Sequence, residues 1–113
     1  MDVERHLPLT PREFHVLLAL AEEPQNGYRI SRLVEQNSRG RVKLSPATQY
    51  TVLHRLVGRD LVREATAETM DRSDGRKQRF WTLTSPGRRV LRAEAERLAA
   101  DAAMVLALGG DDQ

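Results

Sequence analysis

The chain has 113 residues, the length of one domain with a core of moderate size and no room for a deep active site. It contains no cysteine, which excludes disulfide cross-links and thiolate metal sites and fits a reducing, cytoplasmic location. The net charge is only +2, but residues 39–59 carry five basic side chains and no acidic one. This uneven charge predicts a polyanion at one face, with a merely solvated basic surface as the alternative.

The N-terminus is mixed and polar, and no apolar run approaches the ~18 residues of a membrane span. We therefore expect a soluble protein that has no membrane partner. Residues 1–9 are predicted to form an arm that is loose or partly docked. The stretch TPRE (residues 10–13) is a capping box with proline at the first helical position, which predicts a helix over residues 11–23.

A second helix is predicted to open at Asn26-Gly27 and to end at residues 38–40, because Gly40 accepts the left-handed conformation that closes many helices. Residues 41–44 alternate between polar and apolar and predict a short strand. The stretch SPATQYTVLHRL (residues 45–56) then opens a third helix that runs to about Gly58. Ser45 is its predicted cap, and Pro46 suits the first turn.

Residues 61–67 and 78–84 predict two strands of a hairpin whose long polar tip spans residues 68–77. The tip mixes acidic and basic residues, so it is either a solvated loop or a DNA-backbone contact through Arg76 and Lys77. A last helix is predicted over residues 86–107. Its apolar residues follow the seam spacing of packed helices, at Leu91, Ala95, Leu98, Ala102 and Val105.

This order of elements predicts a mainly α fold with a small β-hairpin, a winged helix-turn-helix with a long C-terminal helix. We divide the chain into an arm (1–9), a DNA-binding domain (10–84), a dimerisation helix (85–108) and a flexible tail (109–113). A domain this small cannot cover the seam of its last helix, so we expect a homodimer. Folding of that helix back onto its own domain is the alternative.

The third helix is expected to place one polar stripe opposite its Leu53–Val57 side. Hydroxyls, a methyl-bearing side chain and guanidinium groups suit phosphates and base edges, and the helix N-terminus suits a phosphate. The stripe consists of Thr48, Thr51, Val52, Arg55 and Arg59. Three alternatives stay open: Arg55 pairs with a carboxylate such as Glu64, Tyr50 lies in the core rather than reaching a phosphate, and Val52 is a chance surface residue.

No enzyme chemistry can be assembled from this sequence. The three histidines have no metal-ligand spacing, and neither a nucleophile motif nor a phosphate loop is present. The prediction is a DNA-binding protein without a catalytic residue, a metal or a cofactor. The rival hypothesis is a helical protein–protein interaction module that does not bind DNA.

Four motifs, in order, resemble the PadR-like transcriptional regulators, in the small subfamily with a single C-terminal helix. They are LLAL (17–20), NGYRI (26–30), SPATQYTVLHRL (45–56) and RFWTLTSPG (79–87). The resemblance implies a dimeric DNA-binding repressor at a pseudo-palindromic operator, and it allows a small-molecule effector. It further implies that the last helix packs on the partner's first and last helices, which adds Phe14 to the predicted dimer interface.

The resemblance also places Tyr28 at a phosphate-contacting position, with a surface aromatic that staples the helix entry as the alternative. The chain departs from the family at Asp60, where glycine is usual, and at Gln49, where leucine is usual; Gln49 is expected to reach either DNA or a neighbouring helix. Trp81 is expected in the core rather than in a ligand pocket. Together the predicted DNA contacts are Tyr28, Lys43, Ser45, Thr48, Gln49, Tyr50, Thr51, Val52, Arg55, Arg59, Arg76 and Lys77.

Overall fold

The computed structural model describes residues 2–65 and 79–109. After a short 3-10 helix, Val3–His6, the chain forms four α-helices and three short strands in these ranges. In chain order they are α1 (Pro11–Ala19), β1 (Gln25–Asn26), α2 (Gly27–Asn37), α3 (Pro46–Gly58), β2 (Val62–Ala65), β3 (Phe80–Leu83) and α4 (Ser85–Ala107). The strands pair antiparallel in the order β1-β3-β2. The fold is therefore mainly helical with a small sheet, as expected.

Each α-helix begins at a side-chain cap. The capping box of α1 is complete, since Thr10 Oγ1 accepts from the Glu13 amide at 3.1 Å and Glu13 Oε1 accepts from the Thr10 amide at 3.0 Å. Asn26, Ser45 and Thr84 cap α2, α3 and α4. These local bonds satisfy backbone donors that have no partner within the helix, so they set where each helix starts.

Two sequence predictions about the elements are wrong. The first helix ends at Ala19 rather than at residue 23, because Leu20 turns into the core and its amide bonds Leu17 O at 3.1 Å. Residues 41–44 form no strand, since Ser38 Oγ accepts from the Val42 amide at 2.9 Å within a local turn. The third strand of the sheet comes instead from Gln25–Asn26, which pairs with Phe80 and Trp81.

The core lies between the three compact helices, the sheet and the first half of α4. Trp81 is buried there, which confirms its core placement. The start of α4 lies very close to the backbone of Leu61. A Cβ at Gly87 would collide with the Leu61 carbonyl oxygen, so only glycine fits there. The fully or nearly buried core residues include Val16, Leu17, Ile30, Val34, Leu53, Leu56, Leu61, Val62 and Val90.

The arm is docked, not loose. His6 and Leu9 are buried, and the 3-10 helix lies against α4. On α4 itself, Val90 and Glu94 are buried, whereas every residue from Leu98 to the helix end is exposed. The first half of α4 therefore packs on its own domain, whereas its second half, from Leu98 onward, is exposed within residues 2–65 and 79–109. No helix in these ranges is both long and apolar enough to cross a membrane.

Candidate nucleic-acid interface

The outward face of α3 carries Thr51 and Arg55, both exposed as expected. Arg55 makes no hydrogen bond or ion pair with any residue that the structure describes. The alternative pairing of Arg55 with Glu64 is wrong, because Glu64 is held by Arg79 through contacts of 2.9 and 3.2 Å. The hydrogen bond from Arg79 also holds the pKa of the Glu64 carboxyl below its ordinary value. Arg55 is therefore an exposed cation on this helix that none of the described residues pairs with.

The predicted stripe is rotated relative to the observed surface. Val52 is only 6% exposed and packs beside Leu53 and Leu56, so its prediction as a DNA contact is wrong. The apolar residues of α3 are spaced so that more than one side of the helix could face the core. In the structure Val52 faces the core and Val57 faces outward. The choice is made by packing against α1 and the strand β2.

Arg59, the fifth residue of that stripe, is half-buried and bonded within the fold. Its Nη1 bonds Glu13 Oε2 at 2.9 Å, its Nε donates to Nδ1 of His6 at 3.4 Å, and its Nη2 donates to the His6 carbonyl at 3.4 Å. These partners belong to the arm and to α1. Arg59 thus joins three segments of the fold at the C-terminal end of α3.

The N-terminal turn of α3 presents polar groups. Ser45 Oγ accepts from the Thr48 amide at 3.2 Å and also bonds the Thr48 hydroxyl at 3.0 Å. Thr48 is half-buried, Thr51 donates its hydroxyl to Ala47 O at 3.1 Å, and Lys43 stands exposed just before the cap. The positive end of the helix dipole and these groups favour an anion at this end of α3.

Tyr50 does not lie in the core, because 58% of it is exposed and its ring stacks on His54 with centroids 5.7 Å apart. His54 is exposed on the same side and is absent from the predicted contacts. Its position four residues after Tyr50 is the signal that would have found it, since residues at this spacing are neighbours on a helix.

The N-terminal turn of α2 adds an aromatic and a cation. Tyr28 is 68% exposed, its hydroxyl accepts from Arg32 Nη1 at 2.8 Å, and the Arg32 guanidinium lies 5.6 Å from the ring centroid. Arg32, like His54, follows its aromatic partner by four residues and is absent from the predicted contacts. Tyr28 is therefore accessible to a phosphate and already supported by a positive charge.

Gln49 reaches the neighbouring helix. Its Nε2 donates to the Gly27 carbonyl at 2.7 Å and to Ser31 Oγ at 2.6 Å, both on α2. The structure therefore selects the second of the two expectations for this residue. Arg76 and Lys77, the predicted contacts at the hairpin tip, lie outside the described residues.

The structure thus assembles two exposed polar patches, one on α3 and one at the start of α2. Across the described parts of the chain, no group of three or more His, Asp or Glu side chains is arranged to hold a metal ion. The cations Arg29, Arg32, Lys43 and Arg55 are exposed and form no ion pair with any described residue. A surface that carries unpaired cations together with a helix N-terminus is suited to a polyanion.

Residues 16–93 match the description "Transcriptional regulator PadR-like family". An uncharacterised 37.1 kDa protein of a Streptomyces fradiae transposon is 38% identical over 84 residues, or 74% of this chain. The chain spans only 22% of that protein's length.

Solved structures share the fold. A PadR family transcription regulator from Clostridium difficile superposes with a TM-score of 0.70 at 20% identity, covering 88% of this chain and 100% of that one. PadR of Bacillus subtilis, solved in complex with operator DNA, gives a TM-score of 0.62 at 17% identity, covering 76% of this chain and 47% of that one. The winged-helix fold expected from the order of elements is confirmed.

Proposed function

Because this chain belongs to the PadR-like family of transcriptional regulators, we propose that it binds specific double-stranded DNA and represses transcription as a homodimer. The observation that carries the proposal is Arg55, a cation unpaired among residues 2–65 and 79–109, on the exposed face of a side-chain-capped helix. Guanidinium groups recognise phosphates and guanine edges, and α3 has the place that recognition helices take in this fold. The solved operator complex of the Bacillus subtilis relative supports DNA as the partner.

The proposed contacts differ in role. Arg55 and Thr51 face the major groove, and the N-terminal turn of α3 with Ser45 and Lys43 binds a phosphate. Tyr28, supported by Arg32, binds a second phosphate at the start of α2. Arg76 and Lys77 remain proposed backbone contacts of the hairpin. In this division residues 10–84 bind DNA and residues 85–108 bring two copies together.

The proposed dimer uses the end of α4, whose apolar side chains the described residues leave uncovered. Leu98 is 42% exposed and Val105 66% exposed, and both lie on the seam with Ala95 and Ala102. Burying such a stripe against a second copy is favourable by roughly 25 cal/mol for each Å² of apolar surface. A dimer would place its two α3 helices on a pseudo-palindromic site, about one DNA turn or ~34 Å apart.

Two arginines near the same end of α3 separate DNA binding from folding. Arg55→Ala should weaken binding to the selected site by about tenfold or more, because one charge-assisted contact is worth ~1–3 kcal/mol, and it should leave the free energy of unfolding unchanged. Arg59→Ala should lower the free energy of unfolding, because it removes the bonds to Glu13 and His6. The site is first selected from a random duplex pool, and affinity is then titrated at several salt concentrations.

If Arg55→Ala binds as tightly as the unchanged chain, the proposed DNA surface is wrong. If no duplex is selected, the rival function, a helical interaction module, gains support. Transcription from a promoter that carries the selected site should fall when the chain is added, and a rise would exclude repression.

A further inference from the structure

A half-buried polar side chain links the two helices that carry the proposed DNA contacts. Gln49 of α3 donates both of its amide hydrogens to α2, to the Gly27 carbonyl at 2.7 Å and to Ser31 Oγ at 2.6 Å. A carbonyl only accepts, so the amide nitrogen of Gln49, not its oxygen, must face the carbonyl oxygen of Gly27. Gln49 and Gly27 lie 22 residues apart, which makes this a tertiary contact.

Glycine at position 27 allows this approach. A Cβ added there would lie 2.6 Å from Gln49 Oε1, closer than ordinary contacts permit. The next residue along α2 is Tyr28, which is exposed, and Thr48 precedes Gln49 on α3. The hydrogen bonds of Gln49 therefore connect the backbone beside one proposed phosphate contact to the first turns of the proposed recognition helix.

We propose that Gln49 is a positioning residue, which sets the distance and angle between α2 and α3 so that Tyr28 and Arg55 reach the same DNA together. This inference rests on the proposed function. Gln49 does not touch DNA in this account, and it acts through the placement of its neighbours. An apolar residue of similar size would fill the space but would leave the angle to packing alone, because it makes no directional bond.

The test uses Gln49→Leu in the full chain, with Gln36→Leu as the matched control. Gln36 is an exposed glutamine on α2 that makes no hydrogen bond to any described side chain. Gln49→Leu should weaken binding to the selected duplex by about tenfold, the equivalent of ~1.4 kcal/mol, because α2 and α3 are then no longer held at the angle that DNA requires. Gln36→Leu should leave affinity unchanged. Amide hydrogen exchange in the first turn of α2 should quicken in Gln49→Leu alone.

A double-mutant cycle with Tyr28→Phe distinguishes positioning from a general loss of stability. If Gln49 acts by placing Tyr28, the two changes together should cost less affinity than the sum of each alone, whereas independent effects would add. Gly27→Ala should weaken binding, and Gly27→Ala combined with Gln49→Ala should bind no worse than Gln49→Ala, because the clash is removed.

The outcomes separate the two claims. If the unchanged chain binds no duplex, the proposed function is overturned. If it binds, and Gln49→Leu either binds equally well or shows additive losses with Tyr28→Phe, only the positioning role is overturned.

Discussion

At the scale of single residues, Arg39 and Asp60 take left-handed backbone conformations, with φ of 57° and 62°. Both follow a helix, and in each case the amide of the next residue bonds a carbonyl five positions earlier. The Gly40 amide reaches Glu35 O at 2.8 Å after α2, and the Leu61 amide reaches Leu56 O at 3.0 Å after α3. Aspartate at position 60 thus adopts a conformation that glycine favours, and Arg39, not Gly40, is the first left-handed residue after α2.

Left-handed backbone costs a residue with a Cβ about 1–2 kcal/mol, and glycine avoids this cost but loses more entropy on folding. We expect Arg39→Gly to raise the free energy of unfolding by about 0.5–1 kcal/mol. Arg41→Gly is the matched control, since it removes an exposed arginine of the same loop whose φ is not positive. It should lower the free energy of unfolding, because glycine only adds freedom to the unfolded chain. Urea denaturation measures both; equal changes of the same sign would contradict the prediction.

At the scale of elements, the N-terminal arm is held by two buried groups. The Leu9 amide donates to Glu94 Oε2 at 2.9 Å, and Arg97 Nε bonds Glu94 Oε1 on the other side. His6 lies beside Arg59 at the end of α3. The hydrogen bond from Arg97 holds the pKa of the buried Glu94 carboxyl below its ordinary value, so the pairing of arm and helix is retained at neutral pH.

Glu94→Gln should lower the free energy of unfolding by about 1–3 kcal/mol, because it replaces a charged acceptor that is 1% exposed. The control is Glu96→Gln, which changes an exposed carboxylate on the same helix. It should change the free energy of unfolding by less than about 0.5 kcal/mol. Thermal or urea unfolding checks the difference. Limited proteolysis should cut the arm earlier in Glu94→Gln; an arm equally resistant in both variants would argue against this attachment.

Burial, together with the nearby Arg59 cation, holds the pKa of His6 below its ordinary value of 6.5. His6 therefore binds a proton more readily in the unfolded chain than in the folded chain. Its contribution to the free energy of unfolding is fully present above pH 6.5 and is lost as the pH falls below that value. His6→Asn should show a smaller loss of melting temperature between pH 7.5 and 5.5 than the unchanged chain. Burial also lowers the pKa of His15, and its contribution cancels in this comparison. Identical pH profiles would show that His6 is not the titrating group.

At the scale of the whole molecule, α4 projects beyond the domain. The chain extends 58 Å along its longest axis and 23 Å along its shortest. The exposed end of α4 and its C-cap carry the apolar residues Leu98, Met104, Val105, Leu106 and Leu108. Ten residues of helix span about 15 Å, so this end is a substantial surface. In the proposed dimer a second copy covers it.

The chain should sediment at about twice its mass of 12.8 kDa. Leu98→Glu combined with Val105→Glu should shift it to the single mass, because two carboxylates would be buried in an apolar contact. Ala100→Glu, on the opposite side of the same helix, should leave the dimer intact. DNA affinity should fall with dimer loss. A double variant that remains a dimer would place the interface elsewhere.

Much of the architecture could be read from local signals. The caps at Thr10 and Ser45, the seam spacing of the last helix and the order of elements depend on residues within about four positions of each other. Sequence therefore located every α-helix in the described ranges, and it correctly expected Arg55 and Thr51 at the surface. It did not find β1, because a two-residue strand has no pattern of its own and pairs with residues far along the chain.

The sequence by itself determined where the helices start, which charged residues are available to the surface and which family the chain resembles. Tertiary structure alone decided the rotation of α3, which turned Val52 inward, and the partners of Gln49 and Arg59. Those partners lie 18 and 22 positions away for Gln49 and 46 and 53 positions away for Arg59. A helical pattern defines faces but not what each face meets, because that depends on which distant segments the folded core brings beside it.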